Sequence, residues 1–95
     1  MQFEWDPEKA KKNYKKHRVS FEEAATVFYD SLSATFDDAD HSAGEQRFIT
    51  VGFSSRGRLL VVSYAERREV LRIISARLAT APERKRHENQ TRNES

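Results

Sequence analysis

Two helix-start signals stand within the first quarter of the chain, and β-branched runs occupy most of the remainder, an order that places helices ahead of a sheet rather than between its strands. Asp6-Pro7 is an N-cap followed by proline at the first helical position, and it predicts a helix to about His17. The apolar stripe of that helix is narrow: Ala10, Tyr14 and His17, set among Lys9, Lys11, Lys12, Lys15 and Lys16. Ser20 and Glu23 have the spacing of a capping box, so a second helix starts almost at once, burying Phe21, Ala24, Ala25 and Phe28 and ending near Asp30. Phe3 and Trp5 ahead of these helices suggest a short first strand or an apolar lead-in.

Four extended runs come next. Ser33–Phe36 is short, residues 37–44 read as a polar, acidic loop, and residues 47–53 and 58–65 are long strands. Ser54-Ser55-Arg56-Gly57 joins the long pair, its glycine free to take the left-handed conformation of a tight hairpin. Residues 65–69 form a second connection to a last strand, Val70–Ala76. Thr80-Ala81-Pro82-Glu83 is another capping box and opens a basic C-terminal helix through Arg84, Lys85, Arg86 and His87. These elements make an α+β domain over residues 1–88, with N-terminal helices packed on an antiparallel sheet. Residues 89–95 contain no apolar side chain and read as a disordered tail.

At 95 residues the chain can build one small core, supplied mainly by six Phe, three Tyr and one Trp. No apolar run reaches the ~20 residues needed to span a bilayer and no signal-peptide pattern opens the chain, so the expected place is the cytoplasm. Without cysteine there is no disulfide, thiolate metal site or cysteine nucleophile, and the three histidines have no metal-site spacing. Neither metal nor cofactor is expected. The net charge of +2 hides a segregated pattern. Residues 1–18 carry six Lys/Arg against three acids, residues 19–46 seven acids and no Lys/Arg, and residues 47–87 ten bases against three acids. A basic C-terminal half suits a polyanion, and the acidic middle must face elsewhere.

The strand Arg72-Ile73-Ile74-Ser75-Ala76-Arg77 sets an arginine at each end of a β-branched run. Such a strand rarely carries arginines unless they reach an anion or a partner. Arg67, Arg68 and Arg47 flank the neighbouring strands, so several guanidinium groups converge on one sheet. Strict alternation puts Arg72 and Arg77 on opposite faces unless the strand ends or bulges near Arg77, and it leaves room for one of them to be structural, tied to an acid near Glu22-Glu23.

Taken together, Phe3-Glu-Trp-Asp6, Asn13-x-x-Lys16-His17-x-Val19-Ser-Phe21-Glu-Glu-Ala24, Glu45-x-Arg47, Gly57-Arg58-x-Leu60-x-Val62, Glu66-Arg67, Arg72-Ile-Ile-Ser-Ala-Arg77 and Glu83-Arg84 resemble the BrnT family of type II toxin-antitoxin systems. The likeness runs collinearly over roughly residues 1 to 88. It implies a ribonuclease toxin with a RelE-like fold that blocks translation by cutting RNA. It also implies a BrnA antitoxin with its own DNA-binding domain, in a complex of two toxins and two antitoxins that represses its operon. Operator DNA would be reached only through the antitoxin, since this chain has no helix-turn-helix, zinc or ribbon-type reader. Two positions depart from the family pattern: Arg18 replaces the usual glycine after Lys-His, and His87 replaces the usual tyrosine after Glu-Arg.

RNA cleavage without a metal requires a base for the ribose 2′-hydroxyl, an acid for the leaving 5′-oxygen, and charge stabilisation on the phosphorane. Arginines suit the last task and are poor proton carriers. The candidate catalytic set is therefore His17, Arg47, Glu66, Arg67, Arg72 and Arg77, with Lys16, Arg58, Arg84, Lys85 and His87 as RNA contacts. Each has an ordinary competitor: His17 can interact with the C-terminal dipole of its helix, and Glu66 can pair with Arg67 or Arg72. The same basic sheet also suits a non-catalytic module that binds RNA or a partner protein.

Overall fold

The structure, a computed structural model, describes residues 1–93. Its elements in chain order are β1 (Gln2–Glu4), α1 (Pro7–His17), α2 (Phe21–Thr26) with a 3-10 turn at Val27–Tyr29, β2 (Ala34–Asp37), β3 (Arg47–Phe53), β4 (Leu59–Arg67), β5 (Val70–Leu78) and α3 (Ala81–Asn93).

Both N-terminal helix starts form as their caps dictate. The Asp6 carboxylate accepts the Glu8 N–H at 2.9 Å, and the Ser20 hydroxyl accepts the Glu23 N–H at 3.0 Å. Arg18 closes α1 by taking the left-handed conformation itself (φ 58°), its N–H donating to the Tyr14 carbonyl at 2.8 Å. A side chain there costs about 1–2 kcal/mol relative to the glycine that the turn prefers. The Arg58 guanidinium, which donates to the Arg18 carbonyl at 3.1 Å, helps hold the turn.

The sheet has five strands in the order β1-β5-β4-β3-β2. It is mixed rather than wholly antiparallel, because β1 runs parallel to β5, with Phe3 opposite Leu71. A three-residue strand at the N-terminus can join this edge parallel because α1, α2 and three strands intervene before β5. One face of the sheet is covered by α2, where Val19, Phe21, Ala24 and Val27 meet Leu60, Val62, Ile73 and Ala76. Trp5 packs edge-on against Phe21 (6.0 Å) and Phe3 against Phe28 (5.4 Å). Burying a side chain the size of Phe21 contributes about 1.5–3 kcal/mol, so this helix-to-sheet seam carries most of the core.

β1 pairs with β5 only as far as Arg72, and the rest of that edge is closed by a side chain. Asn13 on α1 is buried; its amide donates to the Ala76 carbonyl (2.8 Å) and the Val19 carbonyl (3.1 Å), and its oxygen accepts the Ala76 N–H (3.1 Å). It thus does for the upper half of β5 what β1 does for the lower half. Glu23, with its side chain only 4% exposed, is the other buried polar anchor. It takes the Ser54 hydroxyl at 2.7 Å and the Arg58 guanidinium in two hydrogen bonds. Pairing with Arg58, ahead of the opposing cost of burial, holds its carboxyl below the usual range.

The last helix differs from expectation in length. α3 continues to Asn93, through five residues of the segment read as a tail, and residues 94 and 95 lie outside the described residues. Helix-compatible side chains such as Glu88 and Gln90 suit this extension.

Candidate active site

Cross-strand partners share a face, so the registers assign every strand residue to the helix-covered face or the opposite, outer face. Arg47 on β3 pairs with Ala65 on β4, Ala65 with Arg72 on β5, and Arg72 with Glu4 on β1. One row of the outer face therefore reads Glu4, Arg72, Ala65, Arg47. Arg67, two residues beyond Ala65, shares that face. Three guanidinium groups surround an alanine too small to screen them.

β5 also solves the alternation problem. Ser63 pairs with Ser75 and Tyr64 with Ile73, which leaves Ile74 without a partner as a β-bulge. The extra residue resets the alternation, so Arg72, Ser75 and Arg77 all lie on the outer face while Ile73 and Ala76 stay in the core. Of the two ways the arginines could share a face, an early strand end or a bulge, β5 takes the second: it runs on through Arg77 to Leu78.

They nonetheless do different work. Arg77 is clamped to Glu83 of α3 by two hydrogen bonds of 2.7 and 2.9 Å, and that pairing holds the Glu83 carboxyl down at about 2. Its acidic partner is on the last helix, not near Glu22-Glu23, and it ties α3 to the sheet. Arg72 is half-buried and makes no ion pair among the described residues. Arg47 lies 3.7 Å from Glu45, and its Nε is buried with no hydrogen-bond partner. Glu45 also accepts from Arg67 at 3.0 Å. A carboxylate therefore sits between Arg47 and Arg67, where a phosphate would compete for the same donors.

Glu66, placed in the catalytic set from sequence, pairs with Leu71 and shares the opposite face, so it does not join these arginines. Glu45 takes that place. Sequence reasoning passes over it, although Glu45-x-Arg47 is a motif, because position 45 precedes a strand inside an acidic stretch. His17 is half-buried on the rim beside β5, lining a depression of about 260 Å³ with Lys9, Lys12, Lys16, Ile74 and Ser75. Ser75 is the outer-face residue next after Arg72, so the bulge links the histidine to the arginine corner.

The remaining expected RNA contacts lie elsewhere. Arg58 is committed to Glu23 on the helix side. Arg84 and Lys85 are exposed on α3, which docks near Phe53, at the opposite end of β3 from Arg47. His87 is only 3% exposed, meets Phe53 edge-on at 6.0 Å, and neither ring nitrogen has a hydrogen-bond partner. It packs α3 onto the sheet. Among the described residues no three His, Asp or Glu side chains are grouped as a metal site requires, and no helix is long and apolar enough to cross a membrane.

A small mixed sheet with α2 on one face, α3 over one end of the other face and an arginine cluster at the opposite end of that face defines a basic α+β domain with a phosphate-compatible surface. The chain belongs to the BrnT family, described as the ribonuclease toxin, BrnT, of type II toxin-antitoxin systems; its model matches residues 5–83. That range includes the arginine corner, Glu45 and His17, and ends before His87. Among solved structures, the Brucella abortus ribonuclease toxin, BrnT, shares the fold, with a TM-score of 0.66 at 22% identity over 84% of this chain and 97% of that one. No curated protein sequence matches the chain.

Proposed function

We propose that the outer sheet face is the active site of a metal-independent endoribonuclease. The observation that carries this reading is the convergence of Arg47, Arg67 and Arg72 around Ala65. In the reaction the ribose 2′-oxygen attacks the adjacent phosphorus and the bond to the 5′-oxygen breaks, leaving a 2′,3′-cyclic phosphate and a 5′-hydroxyl. The arginines hold the phosphate and the negative charge that grows on its equatorial oxygens, a task in which each donor is worth about 10²–10³-fold in rate. The phosphate takes Arg67 and Arg47 away from Glu45, and the freed carboxylate accepts the 2′-hydroxyl proton. His17, on the far side of the Arg72 row, protonates the leaving 5′-oxygen. A base on the β3 side and an acid on the β5 side suit an in-line displacement.

Cutting RNA in the cytoplasm would stop translation, and the family supports an antitoxin partner. We assign that partner the BrnA type, two copies holding two toxins, with the DNA affinity on the antitoxin. The basic face is the surface it would cover. Incubating purified protein with a defined single-stranded RNA in EDTA tests the reading. Cyclic-phosphate ends are expected. Activity that disappears in chelator and returns with magnesium would refute the mechanism.

A further inference from the structure

Beside the arginine corner lies a depression of about 370 Å³ lined by Glu4, Trp5, Asp6, Pro7, Arg67 and Arg72. The catalytic reading uses its two arginines but neither of its two acids, of which Asp6 has one oxygen engaged as the cap of α1 and Glu4 has its carboxylate unpartnered among the described residues. Acids next to a polyanion site are unfavourable unless they recognise something other than phosphate. Glu4 and Asp6 are two apart on extended backbone (Asp6 φ −80°, ψ 122°), so both carboxylates face the depression side while Trp5 between them turns toward Phe21. The Glu4 carboxylate makes no hydrogen bond or ion pair among the described residues, and the Asp6 carboxylate uses only Oδ1, for the Glu8 N–H.

Resting on the ribonuclease reading, we infer that this depression is a guanine-selective base subsite next to the scissile phosphate. Guanine alone among the four RNA bases presents two adjacent donors, N1–H and N2–H₂, on its Watson–Crick edge, a pair that one carboxylate can accept together. Adenine and cytosine put an acceptor at the centre of that edge, and uracil flanks its single N–H with two carbonyls that a carboxylate repels. Arg67 and Arg72 stay on the phosphate, so the selectivity rests on the two carboxylates, which match the paired donors of guanine and of no other RNA base. The volume, at the small end of the ~300–1,000 Å³ usual for ligand pockets, suits a single base. Single-stranded RNA can supply one, because its unpaired bases splay out from the backbone.

Trp5 is the only tryptophan in the chain and lines the depression, so its fluorescence reports binding without any need for cleavage. Titration with the 5′-monophosphates of guanosine, inosine, adenosine, cytidine and uridine should give a saturable signal. GMP should bind at least about 10-fold more tightly than AMP, CMP or UMP, the lower end of the range for a bidentate base contact. IMP, which lacks the 2-amino group, should fall between. Glu4→Gln and Asp6→Asn should each bring the five affinities together; asparagine keeps the N-cap, so α1 is preserved. Equal affinities for all five nucleotides would show a phosphate site only and overturn the inference, as would the absence of any saturable signal. Mapping the cut sites separates this inference from the reading beneath it. Guanine-selective binding without RNA cleavage defeats the ribonuclease mechanism alone, and cleavage without guanine preference defeats the subsite alone.

Discussion

Replacing Asn13 by alanine removes three hydrogen bonds at once, to the Ala76 carbonyl, the Ala76 N–H and the Val19 carbonyl. Asn13 is 9% exposed, so water cannot freely replace the lost partners. Each such bond is worth about 1 kcal/mol net, and a buried group left without a partner costs about 1–3 kcal/mol, which together place the loss near 2–4 kcal/mol. For a domain of this size a loss of 1 kcal/mol lowers the midpoint by about 4–8 °C, so the melting temperature should fall by at least about 10 °C. Asn13→Asp should be no better, since it cannot donate to either carbonyl and sets a charge against them. Thermal and urea melts followed by circular dichroism measure the effect, with an unchanged urea slope confirming that stability alone has changed. A loss below about 0.5 kcal/mol would refute the account of how α1 is fixed to β5. Because His17 is one helical turn beyond Asn13, the clamp also sets where the histidine stands.

Three further outcomes are expected. A Cβ added at Gly52 would lie 2.8 Å from the Ser33 Cβ and 3.0 Å from Val27, so Gly52→Ala should destabilise by about 1–3 kcal/mol in urea melts. The hairpin from β4 to β5 turns on Arg68 and Glu69, both at positive φ (48° and 70°), and replacing them with Asn-Gly should raise stability by about 1 kcal/mol or more. Pairing with Arg77 depresses the Glu83 carboxyl from the ordinary 4.5 to about 2, so its contribution is complete above pH 4.5 and is lost as the pH falls toward 2. The contact between α3 and Phe53, followed by NMR, should loosen across that window in the native chain, and Glu83→Gln should flatten the dependence.

The helix starts were legible because their signals are local: Asp6 and Ser20 sit two or three residues from the N–H groups they cap. The long strands and the Gly57 hairpin were legible for the same reason. What escaped was set by non-local pairing. Nothing in Gln2–Glu4 says which way it will run against β5, so the mixed sheet could not be read. The bulge at Ile74 is invisible in an isoleucine run, yet it decides which face Arg72 and Arg77 share. For the site, residue type was a good guide to the cluster and a poor guide to individual roles. Arg58 and Arg77 look like Arg47 and Arg72 in sequence, and only the carboxylates opposite them, Glu23 and Glu83, mark them as structural. Glu45 was hidden by its acidic neighbours, and Glu66 was favoured by adjacency to Arg67, which on a strand means the opposite face.

The central claim is that the outer sheet face around Ala65, rather than the basic half of the chain at large, performs the cleavage. Single-turnover cleavage of one defined RNA in EDTA by Arg72→Ala and by Arg56→Ala, both first shown to be folded, tests it most directly. Arg56 is a hairpin-tip arginine with its side chain 74% exposed, and its loss should leave the rate within about twofold. Loss of Arg72 should lower the rate by about 10²-fold or more, with lysine restoring only part of it. Equal small losses from the two substitutions would contradict the account and identify a diffuse charged surface.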